Sequence, residues 1–160
     1  MKFSGEITVK ARRDSVFAAL ADVSVFASLI DGVSGLVPLG DNRYDAVLET
    51  KVAYMSFKFK VTVEFTEVTP PRVIAAKIEG APLGMVGRLT AVTVTRLIED
   101  GENTRIQYDM DSTLTGKLGS IGQPVMKAKA REMEKQFAKN LQARFNTAGA
   151  DSAGMPTSIA

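Results

Sequence analysis

In FKFKVTVEF, residues 57–65, the apolar positions Phe57, Phe59, Val61, Val63 and Phe65 alternate with Lys58, Lys60, Thr62 and Glu64. A period of two sends the two sets to opposite faces of a strand. RYDAVLETKV repeats the pattern through Tyr44, Ala46, Leu48 and Val52. So does TRIQYDMDSTL, where Ile106, Tyr108, Met110 and Leu114 stand opposite Arg105, Gln107, Asp109 and Asp111. Residues 2–10, KFSGEITVK, alternate well enough for a first strand. Strands with one apolar and one polar face predict an antiparallel sheet, covered on one side and wet on the other.

Two helical segments interrupt this pattern early. Asp14-Ser15 precede Val16, Phe17, Leu20 and Val23 at helical spacing, and a second short helix is expected from about Val25 to Ile30, ending at Asp31-Gly32. Turn signals then punctuate the strands: GDN at 40–42, Pro70-Pro71, the glycines at 80, 84 and 87, and EDGEN at 99–103. From about Ser120 to Asn146 one glycine, Gly122, is followed by an unbroken run. In it Val125, Met133, Phe137, Leu141 and Phe145 mark an apolar stripe. A helix of that length, about 40 Å, can lie across the whole sheet and bury its apolar face. The predicted order is strand, two short helices, about six strands, then a long helix. It forms one domain over 1–146, and TAGADSAGMPTSIA at 147–160 reads as a small, polar, disordered tail.

Composition narrows the chemistry. The 160 residues hold no Cys and no His. That removes thiolate nucleophiles, Ser-His-Asp triads and zinc sites built on Cys or His. No DxDxDG-type calcium loop appears, so no metal site is expected. Asp109 and Asp111 fall on the polar strand face, in solvent, and form no acid–base pair. Tyr44 and Tyr108 remain as inward hydroxyls able to hydrogen-bond a carbonyl, and a structural Tyr with its ring in the core is the plainer reading. No apolar run approaches a membrane span, and the first residues lack the apolar core of a signal peptide, so a cytoplasmic protein is expected.

The formal charge of +2 is unevenly spread. Lys117, Lys127, Lys129, Arg131, Lys135, Lys139 and Arg144 against Glu132 and Glu134 give residues 116–146 a charge of +5, leaving −3 on everything else. Such a helix face suits an anionic membrane or an acidic partner, although a solvated face is the blander reading. The basic residues are not interleaved with exposed aromatics, so nucleic acid is not an expected partner.

The glycines of TGKLGSIGQP, residues 115–124, invite comparison with phosphate-binding loops. A P-loop needs G-x-x-x-x-G-K-[ST], but the residue five before Gly116 is Asp111 and the residue after Lys117 is Leu118. The dinucleotide fingerprint G-x-G-x-x-G is also absent. Gly116, Gly119 and Gly122 read instead as a hinge from the last strand into the long helix, with Pro124 in its first turn.

The element order is that of the START-like (SRPBCC) helix-grip fold, an α+β architecture in which a curved antiparallel sheet grips a C-terminal helix. Within it the chain resembles the carbon monoxide dehydrogenase G-subunit (CoxG) family over roughly residues 1–146. The resemblance is carried by MKFSGEITVKARRDSVFAALAD at the start, FKFKVTVEFTEVTPP with its proline corner, the loop GAPLGMVG, and TRIQYDMDSTLTGKLGSIG leading into the helix. Two departures stand out. Ile30-Asp31-Gly32-Val33 replaces a Pro-Gly-Cys-like turn, and the hydrophobic C-terminal anchor of many members is missing, which implies an anchorless member or a removed anchor.

The resemblance implies a non-catalytic accessory protein that holds a quinone (menaquinone or ubiquinone) or a lipid, bound without a covalent link. It also implies a partner, a molybdenum hydroxylase-type carbon monoxide dehydrogenase, recruited to the inner face of the cytoplasmic membrane. The apolar pocket would be lined by Phe26, Leu29, Ile30, Leu48, Phe59, Val61, Ile78, Met85, Tyr108, Met110, Met126, Met133 and Phe137. Methionines, Met55 among them, suit a wall that adapts to a greasy ligand, and ordinary core filling is the competing reading. The membrane or partner face would be Lys127, Lys129, Arg131, Lys135 and Lys139. Two alternatives stay open: a polyketide cyclase/aromatase-like enzyme using a Tyr in an apolar pocket, and a pocketless recruitment adaptor.

Overall fold

A computed structural model describes the backbone of residues 1–154 and the side chains through Asn146. Strand β1 (Lys2–Val9) leads into helices α1 (Arg13–Ala21) and α2 (Val23–Ser28). Six strands follow: β2 (Val33–Gly40), β3 (Arg43–Val52), β4 (Met55–Thr69), β5 (Val73–Pro82), β6 (Gly87–Asp100) and β7 (Asn103–Gly116). A 3₁₀ turn, Lys117–Ile121, then delivers the chain into α3 (Gln123–Gly154). The sheet is antiparallel throughout, in the order β1-β7-β6-β5-β4-β3-β2. Sequence neighbours pair by hairpins, while β1 crosses over to pair with β7. This is the α+β helix-grip arrangement expected from the pattern.

The alternation read in the sequence sets the faces. Phe59 pairs with Leu48, Val63 with Tyr44 and Ile78, Met110 with Thr93 and Phe3, so apolar positions line up across strands on the concave side. Lys58 pairs with Glu49 and Glu64 with Lys77, placing opposite charges side by side on the outer face. The GDN turn is tight: Asp41 and Asn42 both adopt left-handed backbone, at φ 48° and 62°, as a two-residue hairpin demands.

The helices depart from expectation in their ends. Helix α1 stops at Ala21, so Val23 opens α2 instead of closing α1. The cause is Asp22, whose Oδ1 accepts from the backbone N–H of Ser24 at 3.0 Å and of Val25 at 3.3 Å, capping the second helix. Helix α3 begins at Gln123 after the 3₁₀ turn, and its backbone is helical to Gly154, beyond the Asn146 boundary expected for the domain. Residues 155–160 of the expected tail lie outside the described residues. Val125 is exposed and Met126 packs inward, so the stripe on α3 runs Met126, Ala130, Met133, Phe137, Leu141, Phe145. The one-residue shift follows from the helical period: at about 100° per residue Met126 lies within about 20° of Phe137, and Val125 about 120° away from it.

Candidate functional site

Helix α3 closes on the concave face at two places. Its C-terminal half brings Phe137, Ala138, Leu141 and Phe145 onto Ile7 and Val9 of β1, Leu97 of β6 and Ile106 of β7, with Val16, Phe17 and Leu20 of α1 and Leu29 after α2. Phe26 and Phe137 meet there with ring centroids 5.4 Å apart. Polar bonds pin the same end, with Asn140 donating to the Leu29 carbonyl at 2.9 Å and Gln142 to the Thr8 carbonyl at 3.0 Å. Its N-terminal end brings Met126, with Ile121 and Leu118 of the 3₁₀ turn, onto Val52, Phe57, Phe59 and Leu114. Phe57 and Phe59 stack at 5.7 Å.

Between these two clusters the concave face carries side chains that join neither of them. Val63, Ile78, Thr93 and Met110, on β4 to β7, face the helix yet stay half-buried, as do Ala130 and Met133 opposite them. Apart from Thr93, whose hydroxyl donates to the Ala76 carbonyl at 3.5 Å, these side chains are aliphatic or thioether and suit an apolar guest.

One polar group borders this region. Tyr108 of β7 donates its hydroxyl to Glu134 Oε1 of α3. Arg131 approaches the same oxygen at 3.3 Å and donates to the Ser4 carbonyl of β1 at 3.1 Å. Gly5, facing Tyr108 across the β1–β7 pair, makes room for them, since a Cβ there would collide with both Glu134 and the Tyr108 ring. Burial first, then the hydrogen bond to Glu134 and its negative charge, push the Tyr108 hydroxyl far above its ordinary range, while Arg131 pulls weakly the other way. Tyr108 is therefore a fixed donor and not a base.

Stability should depend on pH accordingly. The folded chain holds the Tyr108 proton more tightly than the unfolded chain, whose tyrosine titrates near about 10. The resulting stability is fully present below that value and is lost as pH rises above it. Denaturation midpoints measured at pH of about 9 and about 11 should fall more steeply for the wild type than for Tyr108→Phe. Parallel falls would mean the hydroxyl is not held as described.

The expected pocket residues divide. Phe26, Leu29 and Phe137 belong to the first core cluster, and Leu29 is fully packed. Leu48, Phe59, Val61, Met85 and Met126 belong to the second. Ile30 is half-buried at the end of α2, next to the first cluster and away from the others. Ile78, Tyr108, Met110 and Met133 face the central gap. Met55 is exposed at a hairpin tip and lines nothing. Tyr44 packs edge-on against Phe65 at 6.0 Å.

On the helix, Lys127, Lys135 and Lys139 are exposed. Lys129 instead lies down on Glu132 at 2.6 Å with its side chain only 15% exposed, and Arg131 is committed to Glu134 and Ser4. Lys127, Arg131, Lys135 and Lys139, four residues apart and all exposed, lie along one side of the helix, and Lys129 alone turns away from them.

Glu134 and Gly5 escaped the pattern reading, although both left a trace. Glu134 is four residues from Ala130 and three from Phe137, an acid inside an apolar stripe. Gly5 is a missing side chain at an inward position between Phe3 and Ile7.

A broad depression of about 1060 Å³ also lies on the outer face of the sheet, lined by Lys2, Glu64, Lys77, Glu79, Asp109 and Asp111 among others. It is open to solvent, and Val92 and Val94 lie among these charges. Among the described residues no group of acids is placed to hold a metal, and no helix is long and apolar enough to cross a membrane.

The family model for the carbon monoxide dehydrogenase G subunit (CoxG) matches residues 5–146. The chain belongs to the CoxG family. No curated protein matches the sequence. Among solved structures, a conserved protein of Geobacillus kaustophilus is 25% identical, with a TM-score of 0.85 over 92% of this chain and 97% of its own. A START superfamily protein of Mycobacterium smegmatis, 16% identical, superposes with a TM-score of 0.68 over 92% and 98%. The ZhuI aromatase/cyclase of a Streptomyces species, 18% identical, reaches 0.67 over 96% and 98%. The last two share the fold with this CoxG member.

Proposed function

We propose that this CoxG protein is a non-catalytic carrier of an apolar molecule, an isoprenoid quinone or a lipid. It would serve a molybdenum hydroxylase-type carbon monoxide dehydrogenase at the inner face of the membrane. The observation that carries the reading is the set of half-buried apolar side chains in the middle of the concave face that join neither packed cluster. Ile78, Met110 and Met133 would hold the apolar body, and the Tyr108–Glu134 pair would meet a carbonyl or hydroxyl at its end. The family's name supports the choice of partner.

The cyclase alternative would need Tyr108 or Glu134 to move a proton. A phenol held this firmly protonated, with its proton already donated to Glu134, favours binding over proton abstraction. The adaptor alternative predicts that nothing occupies the middle.

Native mass spectrometry of the purified protein, incubated with menaquinone or a mixed lipid extract, tests the reading. Retention by the wild type is expected, with loss of at least about ten-fold in Met133→Trp, which fills the gap from α3. A folded wild type that retains neither ligand would remove the carrier reading in favour of the adaptor.

A further inference from the structure

The three most exposed large apolar side chains among the described residues share one rim of the sheet: Tyr54 at 97%, Val86 at 78% and Leu83 at 57%. Tyr54 tips the β3–β4 hairpin, and Leu83 and Val86 flank the turn from β5 to β6. Hydrogen bonds knit these turns together. The Leu83 N–H donates to the Lys58 carbonyl at 2.8 Å and the Lys117 N–H to the Val86 carbonyl at 3.1 Å, so the 3₁₀ turn joins the same edge. The rim is not neutral. Lys51 and Lys117 flank its turns and Lys127 follows in the first turns of α3, none with an ion pair among the described residues. The nearby acids Glu49 and Glu79 are already matched by Lys58 and Arg88.

We propose that this rim is the surface by which the protein docks on an anionic lipid bilayer. An aromatic tip and one aliphatic turn protruding from a collar of unpaired lysines match a deformable interface whose surface is negative and whose boundary takes up Tyr and aliphatic side chains. A flat protein partner would leave isolated protruding turns poorly packed.

The rim also lies over the second core cluster. Met85 in the β5–β6 turn, Ile121 at the end of the 3₁₀ turn and Met126 at the start of α3 are half-buried members of that cluster. Rearrangement of these flexible side chains would let an apolar molecule pass from bilayer to interior, a step that rests on the carrier reading; docking itself does not.

Flotation with vesicles of phosphatidylcholine alone, and of phosphatidylcholine with about a third phosphatidylglycerol, tests the surface. The wild type should bind the anionic vesicles and release them as salt rises. The double variant Tyr54→Ser with Val86→Ser should lose binding about ten-fold or more, and Lys51→Gln or Lys117→Gln about five-fold each. Lys135→Gln with Lys139→Gln, on the α3 face, should bind as the wild type does. All four residues at the rim are surface positions, and unchanged thermal melts will show the variants folded. No binding by the wild type, or loss only in the α3 variant, overturns the proposal. Menaquinone delivered from detergent separates the two readings: a rim variant that retains it while failing on vesicles supports docking, and a wild type that binds vesicles but never retains it sinks only the carrier reading.

Discussion

Leu141→Ala should lower the unfolding free energy by about 3–4 kcal/mol, near the upper half of the range for such truncations. Leu141 has no solvent exposure. It sits where α3 meets β1, β7 and both short helices, amid Ile7, Val9, Val16, Leu20, Leu29 and Ile106. Removing its three outer carbons loses about 2 kcal/mol of transfer free energy. The cavity term adds to this because three rigid layers converge there and none can move in alone. The melting temperature should drop by roughly 10 °C. Met133→Ala, two turns earlier on the same stripe, should cost under about 1.5 kcal/mol, because Met133 is half-buried and faces the gap. Chemical denaturation of the two variants side by side checks the contrast. Equal losses would mean that α3 is packed evenly along its length and that the middle of the concave face is filled.

That contrast marks the boundary of what the sequence makes legible. The alternation in residues 57–65 and 104–114 predicts the strands and the face each residue takes, because side-chain direction in a strand is local and has a period of two. The order of elements follows, and with it the fold. Helix ends are harder, since one capping side chain decides them: Asp22 moves a boundary that periodicity alone places later. The site is harder still. Phe137 and Met133 are both apolar, both on the stripe and four residues apart, yet one seals a core and the other borders a gap. Nothing in their chemistry separates them, because the neighbours each one meets are set by the assembled fold. The Tyr108–Glu134 pair spans 26 residues and three structural elements, so only the assembled fold brings it together. The cations of the helix are sorted for a similar reason, Lys127, Arg131, Lys135 and Lys139 staying exposed on one side while Lys129 turns away. Their count is read from the sequence, but Lys129 and Arg131 find partners that the count does not show.

The three glycines between β7 and α3 should differ sharply when each is replaced by Ala, and the order tests their role as a hinge. Gly116 sits at φ 65°, ψ −144°, a region that side-chain-bearing residues scarcely populate. A Cβ there would also lie 2.7 Å from both the Gly87 Cα and the Val86 carbonyl oxygen. Both obstacles are backbone, belonging to the start of the facing strand β6, so neither can swing aside as a side chain would. Gly116→Ala therefore combines conformational strain with a forced opening of the β6–β7 pair, and should cost at least about 3 kcal/mol. Gly122 is also left-handed, at φ 96°, but its Cβ would meet nothing nearer than the Pro124 ring at 4.0 Å. Strain alone should apply there, about 1–2 kcal/mol. Gly119 needs no left-handed backbone and would press on the Leu114 carbonyl at 3.2 Å, which a shift of a few tenths of an ångström relieves, so its loss should stay below about 1 kcal/mol. Denaturation midpoints for the three variants should fall in the order Gly116, Gly122, Gly119. The Gly116 variant should also lose the Lys117 N–H bond to Val86 and with it the seating of Leu118, which hydrogen exchange at Lys117 would report as faster opening. A Gly119 variant as costly as the Gly116 one would mean that the chain reverses within the 3₁₀ turn and not at the end of β7, and that the hinge has been placed three residues too early.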